Sequence, residues 1–143
     1  MDRDGHRQHR RRSDALENLR VWRAACRLCV DVHEAAKDVP AEPTCWALRD
    51  QMLRSALSVP SNIAEGHERG FRRDFSRFLR IARGSCGELR TQLYIAAELG
   101  VLERDVAQRL AARSLELTRM LNALLRHVQR ARPPVPKSLH PAP

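Results

Sequence analysis

Between a basic head and a proline-rich tail, apolar positions recur at alternating steps of three and four, which predicts four long helices separated by short breaks. The first spans about Asp14 to Asp38. One of its rows holds Leu19, Trp22, Cys26, Cys29, His33 and Ala36, and a neighbouring row holds Val21, Ala25, Leu28, Val32 and Ala35. Two adjacent rows make an apolar face wider than one bundle seam requires, so the surplus is expected to meet a second subunit. The second helix is expected to start at Thr44 as its N-cap and to end at Gly66, with a bend between Ala56 and Pro60 because proline lacks the donor and clashes with the preceding turn.

The third helix, about Phe71 to Leu99, separates into two opposed faces at 100° per residue. Phe75, Phe78, Leu79, Ala82, Cys86, Leu89, Leu93 and Ala96 form the apolar one, while Arg69, Arg72, Arg73, Arg77, Arg80, Arg83 and Arg90 fall on the other; Gly100 closes the helix. In the fourth, about Glu103 to Arg130, Leu110, Leu117, Leu121, Leu124 and Val128 keep the same rhythm, interrupted by Ser114. Short links between long helices favour antiparallel neighbours, so the expected fold is an all-α, up-down-up-down four-helix bundle. The pattern contains no internal repeat that would make a solenoid. The expected layout is a flexible basic arm at 1–13, the bundle at 14–131 and a disordered Pro-rich tail at 132–143.

Composition agrees with this reading. The 143 residues fit one domain, and 43% hydrophobic against 4% aromatic residues favours helix over sheet. Charge adds a partner class: 26 basic against 17 acidic residues leave +9, which attracts polyanions. Of the basic residues 24 are Arg, whose planar fork suits phosphate. The absence of a long apolar run argues against a membrane span and the head has no apolar segment after its charges, so a reduced cytoplasmic location is expected.

The arginine face of the third helix is the sharpest functional candidate, because phosphate recognition needs several cations spaced along a backbone. Arg10, Arg11 and Arg12 in the head would extend its electrostatic footprint. No aromatic residue is expected among these arginines, so binding should be mainly independent of base sequence. A solvated helix face is the competing reading, as is a surface for an acidic protein partner.

The remaining chemistry is weaker. Cys26, Cys29 and His33 share one helical face, but structural zinc wants four ligands from more than one element, so ordinary packing is the preferred reading and neither metal nor cofactor is expected. Di-iron bundles need Glu-x-x-His pairs, which the chain lacks. His67 and Glu68, between Gly66 and Gly70, read as a polar turn before an acid-base pair, and no catalysis is expected. Asn62, Glu65, Glu88 and Gln92 are expected to form a buried polar network between the second and third helices.

The run Ser58-Val59-Pro60-Ser61-Asn62-Ile63-Ala64-Glu65-Gly66 resembles the signature of the four-helix-bundle proteins named after intervening sequences in bacterial 23S ribosomal RNA genes. The stretches from Leu16 to Trp22, Phe78 to Ser85 and Glu88 to Leu93 are similar to that family as well, over roughly residues 14 to 130. The resemblance implies a homo-oligomer, a ring of five bundles, and a relation to the basic accessory proteins that partner reverse transcriptases in diversity-generating retroelements. On this reading Pro60, Ser61, Asn62, Glu65, Gly66, Glu88 and Gln92 are its structural motif. The implied function is a non-enzymatic helical scaffold for RNA or DNA. The longer basic and Pro-rich tails and Gly87 depart from the family pattern.

Overall fold

A computed structural model describes residues 16–130, which fold as four helices and no strand: α1 (Arg20–Ala36), α2 (Pro43–Arg69), α3 (Arg72–Glu98) and α4 (Arg104–Arg130). The basic arm with Arg10, Arg11 and Arg12, and the Pro-rich tail, lie outside the described residues. Each helix packs against its two cyclic neighbours, and among the described residues no close backbone contact joins the diagonal pairs. Arg83 meets Asn122 while Arg90, further along α3, meets Ser114, so numbers rise on one helix as they fall on the other and the pair is antiparallel. Gly66 against Phe78 and Ser58 against Ser85 show the same for α2 and α3.

The core follows the predicted periodicity. Of the two rows on α1, the one with Val21, Ala25, Leu28 and Val32 is buried together with Cys29 and Ala36, while Trp22 and Cys26 of the other row are half-exposed and His33 is exposed. Leu79, Ala82, Cys86, Leu89, Leu93 and Ala96 from α3 and Leu110, Leu117, Leu121 and Val128 from α4 complete the interior with Met52, Val59 and Ile63. Each Val, Leu, Ile or Met among them removed from water contributes about 1.5–3 kcal/mol, which explains why the pattern fixes the fold.

Three helix boundaries differ from expectation. α1 begins at Arg20, not near Asp14: Leu19 is extended (φ −72°, ψ 112°) after a turn closed by its N–H on the Leu16 carbonyl at 3.0 Å. Asn18, a poor helix former, sits inside that turn, which lets Leu16 and Leu19 both rest on the core. α2 begins with Pro43 at its first turn after an extended Glu42, so proline's fixed φ starts the helix and Thr44 lies within it.

The end of α2 is at Gly70 (φ 78°), not Gly66, which is buried inside the helix. A Cβ on Gly66 would lie 2.7 Å from the Phe78 Cβ and 3.2 Å from the Phe75 Cα, so this glycine allows α2 and α3 to touch. Pro60 is also buried within α2, and its missing N–H leaves the Ala56 carbonyl without its helical donor, at the place where the bend was expected. α3 ends as predicted at Gly100 (φ 68°), with Val101 N–H on the Ala96 carbonyl at 2.8 Å.

Ser114, which interrupts the leucine rhythm of α4, is fully buried and donates its hydroxyl to the Cys86 carbonyl at 2.9 Å. A small, hydrogen-bonded side chain there satisfies its own polarity and keeps α3 and α4 close. The Asp31–Arg113 pair links α1 to α4 at the surface, where an exposed ion pair adds little stability.

Candidate nucleic-acid interface

Arg72, Arg73, Arg77, Arg80 and Arg83 are all exposed on one side of α3. Between residues 69 and 83 six arginines face a single acid, Asp74. Arg72, Arg73, Arg77 and Arg80 form no salt bridge among the described residues. Arg69, at the end of α2, pairs with Glu65 at 3.0 Å. Its guanidinium and that of Arg77 both lie 4.8 Å from the centre of the Phe78 ring. Packing on an aromatic face restricts two otherwise mobile side chains and fixes where their charge is presented.

Arg90 is not part of this face. Half-buried between the helices, it donates to the Ser114 carbonyl at 3.2 Å and the Thr118 hydroxyl at 2.7 Å. Its position at the edge of the arc, next to α4, lets a long side chain bend into the seam instead of fanning into solvent. Arg83, which neighbours the same seam, donates to the Asn122 side-chain oxygen at 2.9 Å and remains exposed.

That contact extends the cationic surface to a second helix, which the sequence reading missed. Arg119 and Arg126 lie three residues before and four residues after Asn122, on the same side of α4, and both are exposed. Arg119 pairs with Glu116 at 3.3 Å, while Arg126 forms no salt bridge among the described residues. Their seven-residue spacing was a usable signal, but only the Arg83–Asn122 contact places them beside the α3 arginines. An exposed aromatic also flanks the surface: Tyr94, 68% exposed, is one turn beyond Arg90. Tyr94 lies beyond the arginines named from the sequence, so it adds an aromatic neighbour that the set of arginines did not include.

The expected polar network takes other members. Asn62 donates to the Ser58 carbonyl at 2.8 Å and the Ser58 hydroxyl at 2.9 Å, and Ser58 bonds to the Ser85 hydroxyl at 2.8 Å, so Ser58 and Ser85 carry the link between α2 and α3. Glu65 and Glu88 are exposed, as is Ser61, and Gln92 has a buried side-chain oxygen with no partner among the described residues. Charged ends are costly to bury where hydroxyls suffice, which explains the substitution. His67 stacks edge-on against Phe75 at 5.9 Å, and its Nδ1 lies 3.6 Å from the Glu68 carboxylate, beyond hydrogen-bonding distance.

His33 Nδ1 donates to the Cys29 carbonyl at 2.8 Å, which occupies that nitrogen with a proton. No group of three or more His, Cys, Asp or Glu converges at metal-binding distance among the described residues. Burial pushes the Cys26, Cys29 and Cys86 thiols above the ordinary value of 9.0, with the Cys26 charge adding to the effect at Cys29. The thiolate is the reactive form, so Cys86 should resist alkylation at neutral pH until the chain unfolds. Mass spectrometry after timed iodoacetamide labelling, with and without denaturant, checks this: rapid native labelling of Cys86 would contradict its burial. Because the folded thiols hold their protons more tightly than unfolded ones, their contribution to stability is present below pH 9.0 and falls as pH rises past it.

No helix among the described residues is long and apolar enough to cross a membrane. No curated protein matches the sequence. Among solved structures, the chain is similar to a protein of unknown function from the S23 ribosomal protein family of Bacteroides thetaiotaomicron VPI-5482, with a TM-score of 0.68 and 23% identity over 73% of this chain and 97% of that one. At that identity the likeness speaks for the fold. Residues 17–123 match the family described as 23S rRNA-intervening sequence protein, and the chain belongs to that family.

Proposed function

We propose that this protein is a non-enzymatic, self-associating helical scaffold that binds RNA or DNA phosphates through the exposed arginines of α3 and α4. The observation that carries the reading is the set Arg72, Arg73, Arg77 and Arg80, four exposed cations on one helix face with no salt-bridge partner among the described residues. Such cations displace condensed counterions from a phosphate backbone, which gives affinity without base specificity. The arginines of the head would add to the same field.

Self-association is supported by the opposite side of the bundle. There Trp22 and Cys26 of α1 are half-exposed, and Trp46 and Leu57 of α2 are 52% and 55% exposed. In a cyclic bundle α1 and α2 lie across from α3 and α4, so subunits joined through the first pair leave the second pair free for ligand. A ring of five and a reverse transcriptase as its protein partner are the specific forms that the family resemblance implies. Both belong to the proposal, as does a cytoplasmic location.

The test is binding of nuclease-treated full-length protein to labelled RNA and DNA across a salt series, with its mass measured in the same buffer. Affinity that falls steeply with salt, at a mass near five times 16.4 kDa, is the expected result. A monomer at micromolar concentration removes the ring. An intact oligomer that binds no nucleic acid, but retains a stoichiometric acidic protein after nuclease treatment, would replace the reading with a protein-interaction scaffold.

A further inference from the structure

We infer that the cationic face takes single-stranded nucleic acid, with a base stacked on Tyr94 and the adjoining phosphates along the α3–α4 seam; this rests on the function proposed above. Tyr94 is the only tyrosine of the chain and is 68% exposed. α3 is unbroken from Arg72 to Glu98, and steps of four, three and four residues carry one row from Arg83 through Gly87 and Arg90 to Tyr94. The tyrosine ring thus continues the line of Arg83, about 16 Å further along the helix at ~1.5 Å per residue.

Gly84 and Gly87 leave two positions between them without a side chain. A Cβ added at Gly84 would meet nothing within 4 Å, and one at Gly87 would meet only the Arg90 guanidinium at 3.7 Å. Arg90 is itself held in the seam by the Ser114 carbonyl and the Thr118 hydroxyl, so its guanidinium borders the row at Gly87 and is fixed there. Two glycines in a helix interior lower its stability, and here neither makes room for a neighbouring helix as Gly66 does. These two positions carry no side chain, and the row runs from the exposed Arg83 to the exposed Tyr94 ring.

A ring in that place distinguishes single strands from duplexes. In a duplex both faces of each base are covered by neighbours, so only phosphates reach the arginines unless a base is unstacked at a cost. A single strand offers free base faces, and stacking on an aromatic side chain adds to the phosphate contacts without demanding a particular sequence.

The test compares the full-length protein with Tyr94→Leu and Tyr94→Trp on matched single-stranded and duplex RNA and DNA, with salt slopes and mass recorded for each. Tyr94→Leu is expected to weaken single-strand binding by about 5- to 100-fold and to leave duplex binding, salt slope and mass unchanged, while Tyr94→Trp retains single-strand affinity. Equal losses on single strands and duplexes, no loss on single strands, or a changed mass would overturn the inference. Replacing Arg72, Arg73, Arg77 and Arg80 in parallel separates the two readings. If the arginines matter and Tyr94 does not, stacking alone falls; if the arginines do not matter, the cationic interface falls as well.

Discussion

Replacing Arg72, Arg73, Arg77 and Arg80 together by Ala is expected to lower affinity for RNA or DNA about a thousandfold at roughly 0.1 M salt. Each phosphate contact contributes about 0.7–0.9 to the slope of log affinity against log salt, and thus nearly a factor of ten at that concentration. Four lost contacts should therefore flatten the slope by about 3. All four side chains are exposed, so the substitutions leave no buried void and remove only the Arg77 contact with the Phe78 ring, and Ala is a good helix former. Circular dichroism and mass should stay as in the unchanged protein. Fluorescence anisotropy in a salt titration reads the result, and an unchanged slope would move the interface away from this face.

Gly66→Ala is expected to destabilise the fold by about 1–3 kcal/mol, although alanine in a helix is ordinarily favourable by ~1 kcal/mol. The new methyl would sit 2.7 Å from the Phe78 Cβ, with the Phe75 backbone 3.2 Å away, and neither atom is the end of a flexible chain. α2 and α3 would have to part, loosening the contacts of Phe78 and the Ser58–Ser85 hydrogen bond two turns away. Gly84→Ala is the control. Its Cβ meets nothing within 4 Å, so only the helix propensity is gained and stability should rise by up to ~1 kcal/mol. Urea unfolding at one fixed protein concentration, as association requires, compares the two. Equal effects would show that the close approach at Gly66 carries no energetic weight.

The contrast between these glycines also shows how far sequence could reach. Gly66, Gly84, Gly87 and Gly100 look alike in the chain, and a glycine after a polar turn is a reasonable helix end. Gly100 fulfils that role with a positive φ; Gly66 does not, because its meaning lies in Phe75 and Phe78 on another helix. The same holds for arginine. The angular position of Arg72, Arg73, Arg77 and Arg80 was legible from α3 alone, since helix geometry fixes which arc each occupies. The inward bend of Arg90 was not, because Ser114 and Thr118, which draw it in, belong to α4.

The expected network of Asn62, Glu65, Glu88 and Gln92 failed for a related reason. Spacing identifies polar residues near a seam, but hydrogen-bond partners depend on the relative height of two helices. That height is set where Gly66 meets Phe78, and it brings Ser58 opposite Ser85.

By itself the sequence determined four amphipathic helices, their apolar faces, the antiparallel order imposed by short links, and the one-sided charge of α3. Those properties arise from local periodicity and chain length, which require no knowledge of neighbours. Only the tertiary structure decided that Gly66 is a contact, that Arg90 is a seam residue, and that Arg119 and Arg126 adjoin the α3 arginines. Each depends on how one helix is set against the next, and that register is fixed by packing between residues distant in the chain.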